Sequence, residues 1–365
     1  MKITNVRTVQ LKRPLDRPQR NAQGRRDQRI FTFVVVETDA GITGLGDAFG
    51  DDQLMEGIVV NRLGPMSIGL DPTDIPALWT KLFTSRAFWE TGGSVLCGIS
   101  AIEVACHDIW GQAEGVPVCE LLGGKTRDRI EAYASDLHWE EVERMAETAA
   151  SYVERGFRYM KTHLGGPGEE QRDIERIEAV RATIGPDIGF MVDVNTAFQR
   201  DRAMEFGRQV SSSDLFWYEE PLSPLDFEGH AQLRDALPMK IATGENLYTT
   251  QGFAPMFAAK GCDFAMPDIL RCGGIEQARQ ICNDAVANNV IPSPHNYSSG
   301  VGTAATLHLM AALPETQLLE FDPTHTAIYE ELFIEPLVFD DGFVHVPNLP
   351  GLGVRLTDEI INRWS

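Results

Sequence analysis

The sequence predicts an α/β fold, a (β/α)8 TIM barrel preceded by a separate α+β domain, on three observations. The first is a set of carboxylates: Asp193 in GFMVDVN, Glu219 in FWYEEP and Glu245 in KIATGEN, spaced 26 residues apart, each near the end of a short apolar run. A strand, a covering helix and two loops take roughly that many residues, so three consecutive βα units each bring one acid to the C-terminal end of a strand. The second is alternation of strand and helix patterns from Arg129 onward until eight strands are counted. Such regularity favours a closed barrel over an open sheet. The third is an antiparallel meander in the first 48 residues, unlike the rest of the chain.

Taken in order, Ile3 to Leu11 is the first expected strand, Ile30 to Glu37 the second and Ile42 to Ala48 the third, with a turn at Thr38 to Gly41. Between the first two lies a loop, residues 12–29, with seven Lys/Arg against two Asp. It reads either as a solvated surface loop or as a mobile flap that draws in an anionic substrate. From Asp74 to Leu122 the pattern is helical. Ser100 to Trp110 has apolar residues at three- and four-residue spacing behind a small N-cap candidate, and Gly123-Gly124 stops the region. Residues 1–125 are therefore the α+β domain. The barrel, residues 126–325, has expected strands at Arg129–Ser135, Phe157–His163, the three carboxylate-bearing runs, Cys262–Met266, Val290–His295 and Gln317–Asp322. Its first helices are expected at Trp139–Arg155, ended by Gly156, and Glu169–Ile184. The last segment, 326–365, returns to short strands and turns that pack back on the N-terminal domain.

The 365 residues, 43% hydrophobic and 23% charged, have ample core for such a fold. A net charge of -21 argues against nucleic acid as a partner, because phosphates would be repelled. No apolar run reaches the roughly 18 residues of a membrane span, and the N-terminal stretch lacks the apolar centre of a signal peptide. Six cysteines without CxxC or metal spacing read as free, buried thiols in a reducing compartment, so a cytoplasmic location is expected.

Converging carboxylates repel one another and call for a cation. Magnesium suits Asp193, Glu219 and Glu245, being a hard ion that takes oxygen ligands and leaves positions for substrate. Lys161 and His163, two apart near the end of the second barrel strand, face the same side; a buried lysine there needs a partner to stay charged. Asp268 and His295 end the sixth and seventh strands, and an Asp that fixes a histidine tautomer makes a general base. Glu320, on the eighth, serves a developing oxyanion if held protonated. Asn195 faces the side of Asp193 and is a substrate-binding candidate, whereas Glu220 faces away and reads as structural. His107, His138, His230, His308, His325 and His345 receive no role. A divalent cation, bases on two sides and a carboxyl donor are the equipment for removing a proton beside a carboxylate.

These motifs, with AIEVACHDIWGQAEGVPVCELLGG, PDILRCGG, SPHN and LLEF, closely resemble the enolase superfamily in its mandelate racemase branch across essentially the whole chain. The resemblance implies an α+β capping domain, completed by the C-terminal segment, over a modified (β/α)8 barrel. It also implies one essential Mg2+ per subunit, with Mn2+ able to compete, and an even-numbered homo-oligomer, an octamer among the choices. Asp193, Glu219 and Glu245 match the family's metal ligands, Asp268 and His295 its dyad, and Glu320 its enediolate-stabilising acid. The family's second-strand Lys-x-Lys pair is here Lys161-Thr162-His163, which weakens a two-base racemase. The tail GFVHVPNLPGLGV and the run LEFDPTHTAIYEELFIEP look like members acting on sugar-derived acids. The expectation is a Mg2+-dependent lyase or cycloisomerase of an acid sugar, forming a 2-keto-3-deoxy acid from a small carboxylate. A racemase or epimerase of a hydroxy acid or amino-acid derivative is the alternative, and a non-catalytic binding protein the third.

Overall fold

The structure, a computed structural model, describes residues 1–84, 90–166, 168–324 and 327–365, and of residue 327 only the backbone. It opens with an antiparallel sheet, β1 (Ile3–Asn21), β2 (Gly24–Thr38) and β3 (Thr43–Asp47), in the order β1-β2-β3. The run IFTFVVV in β2 is apolar on both faces for a visible reason. Phe31, Phe33 and Val35 join the core shared with the barrel, while Val34 and Val36 join the core under the N-terminal helices. Alternation with period two thus splits one strand between two cores.

Residues 12–29, expected as a loop, continue this ladder instead. Lys12 pairs with Ile30, Arg13 with Arg29 and, after a bulge between Pro14 and Gln19, Asn21 with Gly24. The basic segment is a long β-hairpin turned at Ala22-Gln23. Arg29, near its base, is buried and bonded to Asp322 at 2.8 Å; Arg20 pairs with Glu169 at 2.9 Å and lies over the Trp139 ring at 4.0 Å. Arg20 O also accepts from Trp139 N at 2.9 Å. Barrel contacts therefore overrule a composition that reads as loop.

The helix Ser94–Glu114 packs across β3, and glycine permits it: a Cβ at Gly46 would sit 1.9 Å from Ala101 O. The N-cap is Gly93, and Ser100 lies inside the helix with its hydroxyl donating to Leu96 O. The expected start there is corrected; the apolar run preceding Ser100 is already helical. Glu103 of this helix accepts from Ile275 N at 2.8 Å and Glu276 N at 2.9 Å, capping the barrel helix Ile275–Ala287. A Cβ at Gly274 would strike Glu103 Oε2 at 2.3 Å, so the second glycine of LRCGG is needed for that cap.

The barrel strands are β4 (Arg129–Leu137), β5 (Tyr159–His163), β6 (Gly189–Asp193), β7 (Leu215–Glu219), β8 (Lys240–Thr243), β9 (Phe264–Ala265), β10 (Ile291–Pro292) and β11 (Leu319–Phe321). Parallel pairing runs without a break from β10 through β9 to β4, and β11 pairs with β4. The remaining seam between β10 and β11 is crossed by Gln317 N to Pro292 O and Ser293 Oγ to Leu318 O, both at 2.9 Å. Tyr133, Met191, Trp217, Ala242, Phe264 and Met266 fill the interior. Outward residues of the same strands, such as Phe190, Val192 and Tyr218, meet the surrounding helices.

The chain then returns through β12 (Phe339–Asp340) and β13 (Phe343–His345), which pairs antiparallel with β4. Beyond it, Leu352 N donates to Asp108 Oδ1 of the Ser94–Glu114 helix at 2.9 Å, so the C-terminal segment completes the N-terminal domain. The six cysteines are free and buried. Among the described residues no helix is long and apolar enough to cross a membrane.

Candidate active site

Strand register builds the site. In the parallel ladder His163 is the Cα partner of Asp193, and Asp193 of Glu219, so three adjacent strands end in one row of polar side chains. Glu245 follows two residues beyond β8, Asp268 is the N-cap of the short helix Ile269–Cys272, and His295 lies beyond β10. A cavity of about 150 Å³ opens here, lined by His163, Asp193, Asn195, Glu245, His295 and Glu320 together with Gln19, Asn21, Gln23, Gly24 and Arg26 of the hairpin. Lys161 and Glu219 lie wholly buried beneath it, and Asp268 behind His295.

The charges interlock. Lys161 Nζ donates to Glu219 Oε1 at 2.6 Å, reaches Glu320 Oε1 at 2.9 Å and stands 3.7 Å from Asp193 Oδ2. Burial opposes its charge, but Glu219 and Glu320 outweigh burial and lift Lys161 well above the ordinary lysine value. Trp217 Nε1 donates to the other oxygen of Glu219 at 2.8 Å. Even so, burial beside Asp193 and Glu320 raises Glu219 well above the carboxylate range: the floor has more acids than cations.

Glu320 departs from expectation. Burial would raise it, yet Lys161 and His295 hold it below the usual carboxylate range, and it accepts from Ser135 Oγ at 2.5 Å and Asn296 N at 2.9 Å. It is an ionised acceptor here, not a protonated donor.

His295 Nδ1 is 2.8 Å from Asp268 Oδ2, and its Nε2 is 2.7 Å from Glu245 Oε2 and 3.5 Å from Glu320 Oε2. Burial disfavours the charged ring, but Glu320 and Glu245 lift it well above the ordinary histidine value. Asn195 holds Asp193 by its backbone N and by Nδ2, each at 2.8 Å, and its Oδ1 faces His163 Nδ1 at 3.2 Å. Glu220 braces the ends of β7 and β8, accepting from Thr243 Oγ1, Gly244 N and Asn246 Nδ2. Asn195 and Glu220 have φ of 49° and 42°, a conformation that costs about 1–3 kcal/mol outside glycine.

Sequence reasoning passed over several neighbours. Arg271 is buried, 3.1 Å from Asp268 and 3.6 Å from Glu245; its place one helical turn after Asp268 is the signal that would have found it. His138, assigned no role, lines the cavity and stacks on His163, and Tyr297 lines it too. His325 lies outside the described residues.

Among the described residues no three His, Cys, Asp or Glu groups stand as a formed metal shell. Asp193, Glu219 and Glu245 are turned instead to Lys161, His163 and His295. The donor set is nevertheless oxygen-rich and short of positive charge, which fits a hard divalent cation.

Two family models divide the chain: the mandelate racemase / muconate lactonizing enzyme N-terminal domain over residues 3–123, and the enolase C-terminal domain-like family over 144–360. The chain belongs to the enolase superfamily, in its mandelate racemase branch. Within that superfamily it is 32% identical to a D-galactarolactone cycloisomerase of Agrobacterium fabrum, over 100% of this chain and 99% of the relative. It is 28% identical to an arabinonate dehydratase of Saccharolobus solfataricus, over 90% of this chain and 89% of the relative. A racemase from Streptomyces coelicolor, solved with bound magnesium, superposes with a TM-score of 0.91 at 27% identity, covering 99% of each chain.

Proposed function

We propose that the chain abstracts the proton alpha to the carboxylate of an acid sugar, or of its lactone or anhydro derivative, and then eliminates the oxygen on the β-carbon. The product is a 2-keto-3-deoxy acid, formed by a dehydratase or a cycloisomerase. The observation that carries this is the Asp268–His295 pair, 2.8 Å apart, opening into the cavity that Asp193, Glu245 and Glu320 also line. Relatives that are cycloisomerases and dehydratases of sugar-derived acids support it.

In this reading Asp193, Glu219 and Glu245 hold Mg2+, which supplies electrostatic stabilisation of charge developing on the substrate carboxylate. Asp268 fixes the proton on His295 Nδ1, so that Nε2, once free of Glu245, is the atom that takes the α-proton. The electron pair of the broken C–H bond moves into the carboxylate and returns as the Cα–Cβ double bond. The C–O bond at the β-carbon breaks, its oxygen leaves with the proton that His295 Nε2 has just taken, and the enol becomes the keto acid. Lys161 keeps Glu219 and Glu320 apart in charge beneath the reacting carbon, and Asn195 orients Asp193. The hairpin residues Gln19, Asn21, Gln23 and Arg26 cover the substrate from above.

Acid sugars, their lactones and anhydro-aldonates, incubated with protein and Mg2+, test this by 2-keto acid formation. A keto acid from any of them is the expected result. One observation favours a second reading: His163 and His295 both line the cavity, so two ring nitrogens are available for racemisation. Exchange of the α-proton in deuterated water without keto acid would move the assignment there. An even-numbered homo-oligomer in the cytoplasm belongs to the same proposal, and light scattering on the eluted protein checks the assembly.

A further inference from the structure

At the side of the cavity His138 lies face to face with His163, ring centroids 4.9 Å apart and planes within 9°. Each ring is anchored at one nitrogen. His138 Nε2 is 2.9 Å from Asp136 Oδ1 and 3.0 Å from Tyr297 OH. The Tyr297 hydroxyl donates to Asp136 Oδ1 at 3.0 Å, and Gln19 Nε2 of the hairpin donates to that oxygen at 3.1 Å and to Tyr297 OH at 2.9 Å. A carboxylate only accepts, so the proton of His138 sits on Nε2. Burial, outweighing Asp136, pushes this ring below the ordinary histidine value, so it is neutral and its Nδ1 is a bare acceptor.

On the other ring, Nδ1 of His163 faces Asn195 Oδ1 and Asp193 Oδ2, both at 3.2 Å. Asn195 spends its Nδ2 hydrogen on Asp193, so its Oδ1 is the acceptor and the His163 proton sits on Nδ1. The two remaining nitrogens, His138 Nδ1 and His163 Nε2, are buried and have no hydrogen-bond partner. Both residues line the cavity. Buried polar atoms without partners need an explanation, and where two of them line one cavity a ligand or water supplies it.

We infer that His138 Nδ1 and His163 Nε2 form a paired recognition site for hydroxyl groups on the substrate's carbon chain, so that the substrate is a polyhydroxylated acid. This rests on the acid-sugar reading above and names the residues that read the sugar. A carboxylate oxygen cannot meet the bare nitrogen of His138, because neither has a proton to give; a hydroxyl can, by donating its proton, and a second hydroxyl can bond His163 Nε2 in the same way. Asp136, Tyr297 and Gln19 hold the tautomer that makes His138 an acceptor, and through Gln19 the hairpin is part of the same network. A site built to bond a hydroxyl rejects the analogue lacking it, because its own polar atom is left unpaired.

The test is calorimetric binding to the Mg2+-loaded protein of six-carbon aldonates and aldarates, their singly deoxy counterparts and an N-acyl amino acid. The protein with His138 intact is expected to bind at least one hydroxylated acid about 10- to 100-fold tighter than one of its deoxy forms. His138→Phe keeps a flat ring against His163 but has no nitrogen. It should lose that difference by weakening the hydroxylated acid alone, and Tyr297→Phe should shift binding the same way by less. Should His138→Phe not fold, Tyr297→Phe decides. Equal weakening of hydroxylated and deoxy acids, or no change in either, overturns the inference, as does His138-dependent preference for the N-acyl amino acid. Each protein in the binding series also carries His295→Asn, so binding is read without turnover and the two claims separate. The His138 effect in that series, with no keto acid formed when His295 is intact, sinks the elimination reading and leaves this one standing. Keto acid formation with no His138 effect does the reverse.

Discussion

His295 stands between two demands that only a change of partner reconciles. Its Nε2 lies 2.7 Å from Glu245, and in that company the ring holds its proton, whereas a base must present an empty lone pair. A cation bound to Glu245 removes the carboxylate charge that keeps the proton on, while Asp268 continues to fix Nδ1. His295→Asn should therefore lower kcat by about 10²–10⁴-fold, the usual worth of a positioned base, with Mg2+ affinity unchanged by titration calorimetry. Normal turnover in that variant would remove the dyad from the mechanism. This pair was legible from the sequence because both residues follow apolar strands at the spacing of one βα unit. Tyr297 and His138 were not, and Arg271 was passed over. The first two owe their position to loop paths after β10 and β4, and Arg271 to a single helical turn. Periodicity has no hold on the loop paths, whereas the helical turn after Asp268 was a readable signal for Arg271.

Among the elements, the helix Gly300–Ala312 is buried along nearly its whole length, since it packs against barrel, N-terminal helix and C-terminal segment together. That leaves His308 in its middle fully buried, its Nε2 3.3 Å from Leu352 O and its Nδ1 without a partner. Burial drives the ring from 6.5 down to about 4. A depressed histidine is carried neutral into the folded state. Its contribution is therefore complete above pH 6.5 and is lost as pH falls from 6.5 towards 4. Between pH 7.5 and 5 the loss is roughly 2 kcal/mol. Buried Asp47 and Asp108, each raised to about 6 by burial, act in the opposite sense in the lower part of that window. The measurement is accordingly a difference: urea midpoints of wild type and His308→Leu at both pH values. The wild type should lose more on acidification, and parallel curves would contradict the assignment. The hairpin teaches the converse lesson about elements. Its Pro, Gln and Arg residues read as loop because a strand's usual apolar alternation is absent. What makes it a hairpin is bonding to Trp139, Asp136 and Asp322, partners more than a hundred residues away that no local pattern reports.

Across the whole molecule, stability and function meet at the same excess of negative charge. The chain carries -21, and Asp193, Glu219, Glu220, Glu245, Asp268 and Glu320 are all buried near one cavity against Lys161 and Arg271. The barrel, the capping sheet and the C-terminal segment are cross-bonded through Glu103 and Asp108, so strain at the carboxylates is felt by one cooperative body. Folding without a cation must bring those acids together at a cost. A ligand that binds the folded state alone offsets it by mass action, about 2.7 kcal/mol at a hundredfold excess over Kd. Mg2+ should thus raise the unfolding midpoint well beyond the effect of NaCl at equal ionic strength, since screening acts weakly on buried charges. His295→Asn should keep the shift, because it leaves every proposed ligand in place. Asp193→Asn should lose most of the shift while being less destabilised than wild type by removal of Mg2+, having one fewer buried charge to hold. An equal response to NaCl, or an undiminished Mg2+ shift in Asp193→Asn, would separate the carboxylate row from metal binding. The row and its acidic neighbours would then be left to Lys161, Arg271 and His295, whose positive charge does not balance six buried carboxylates.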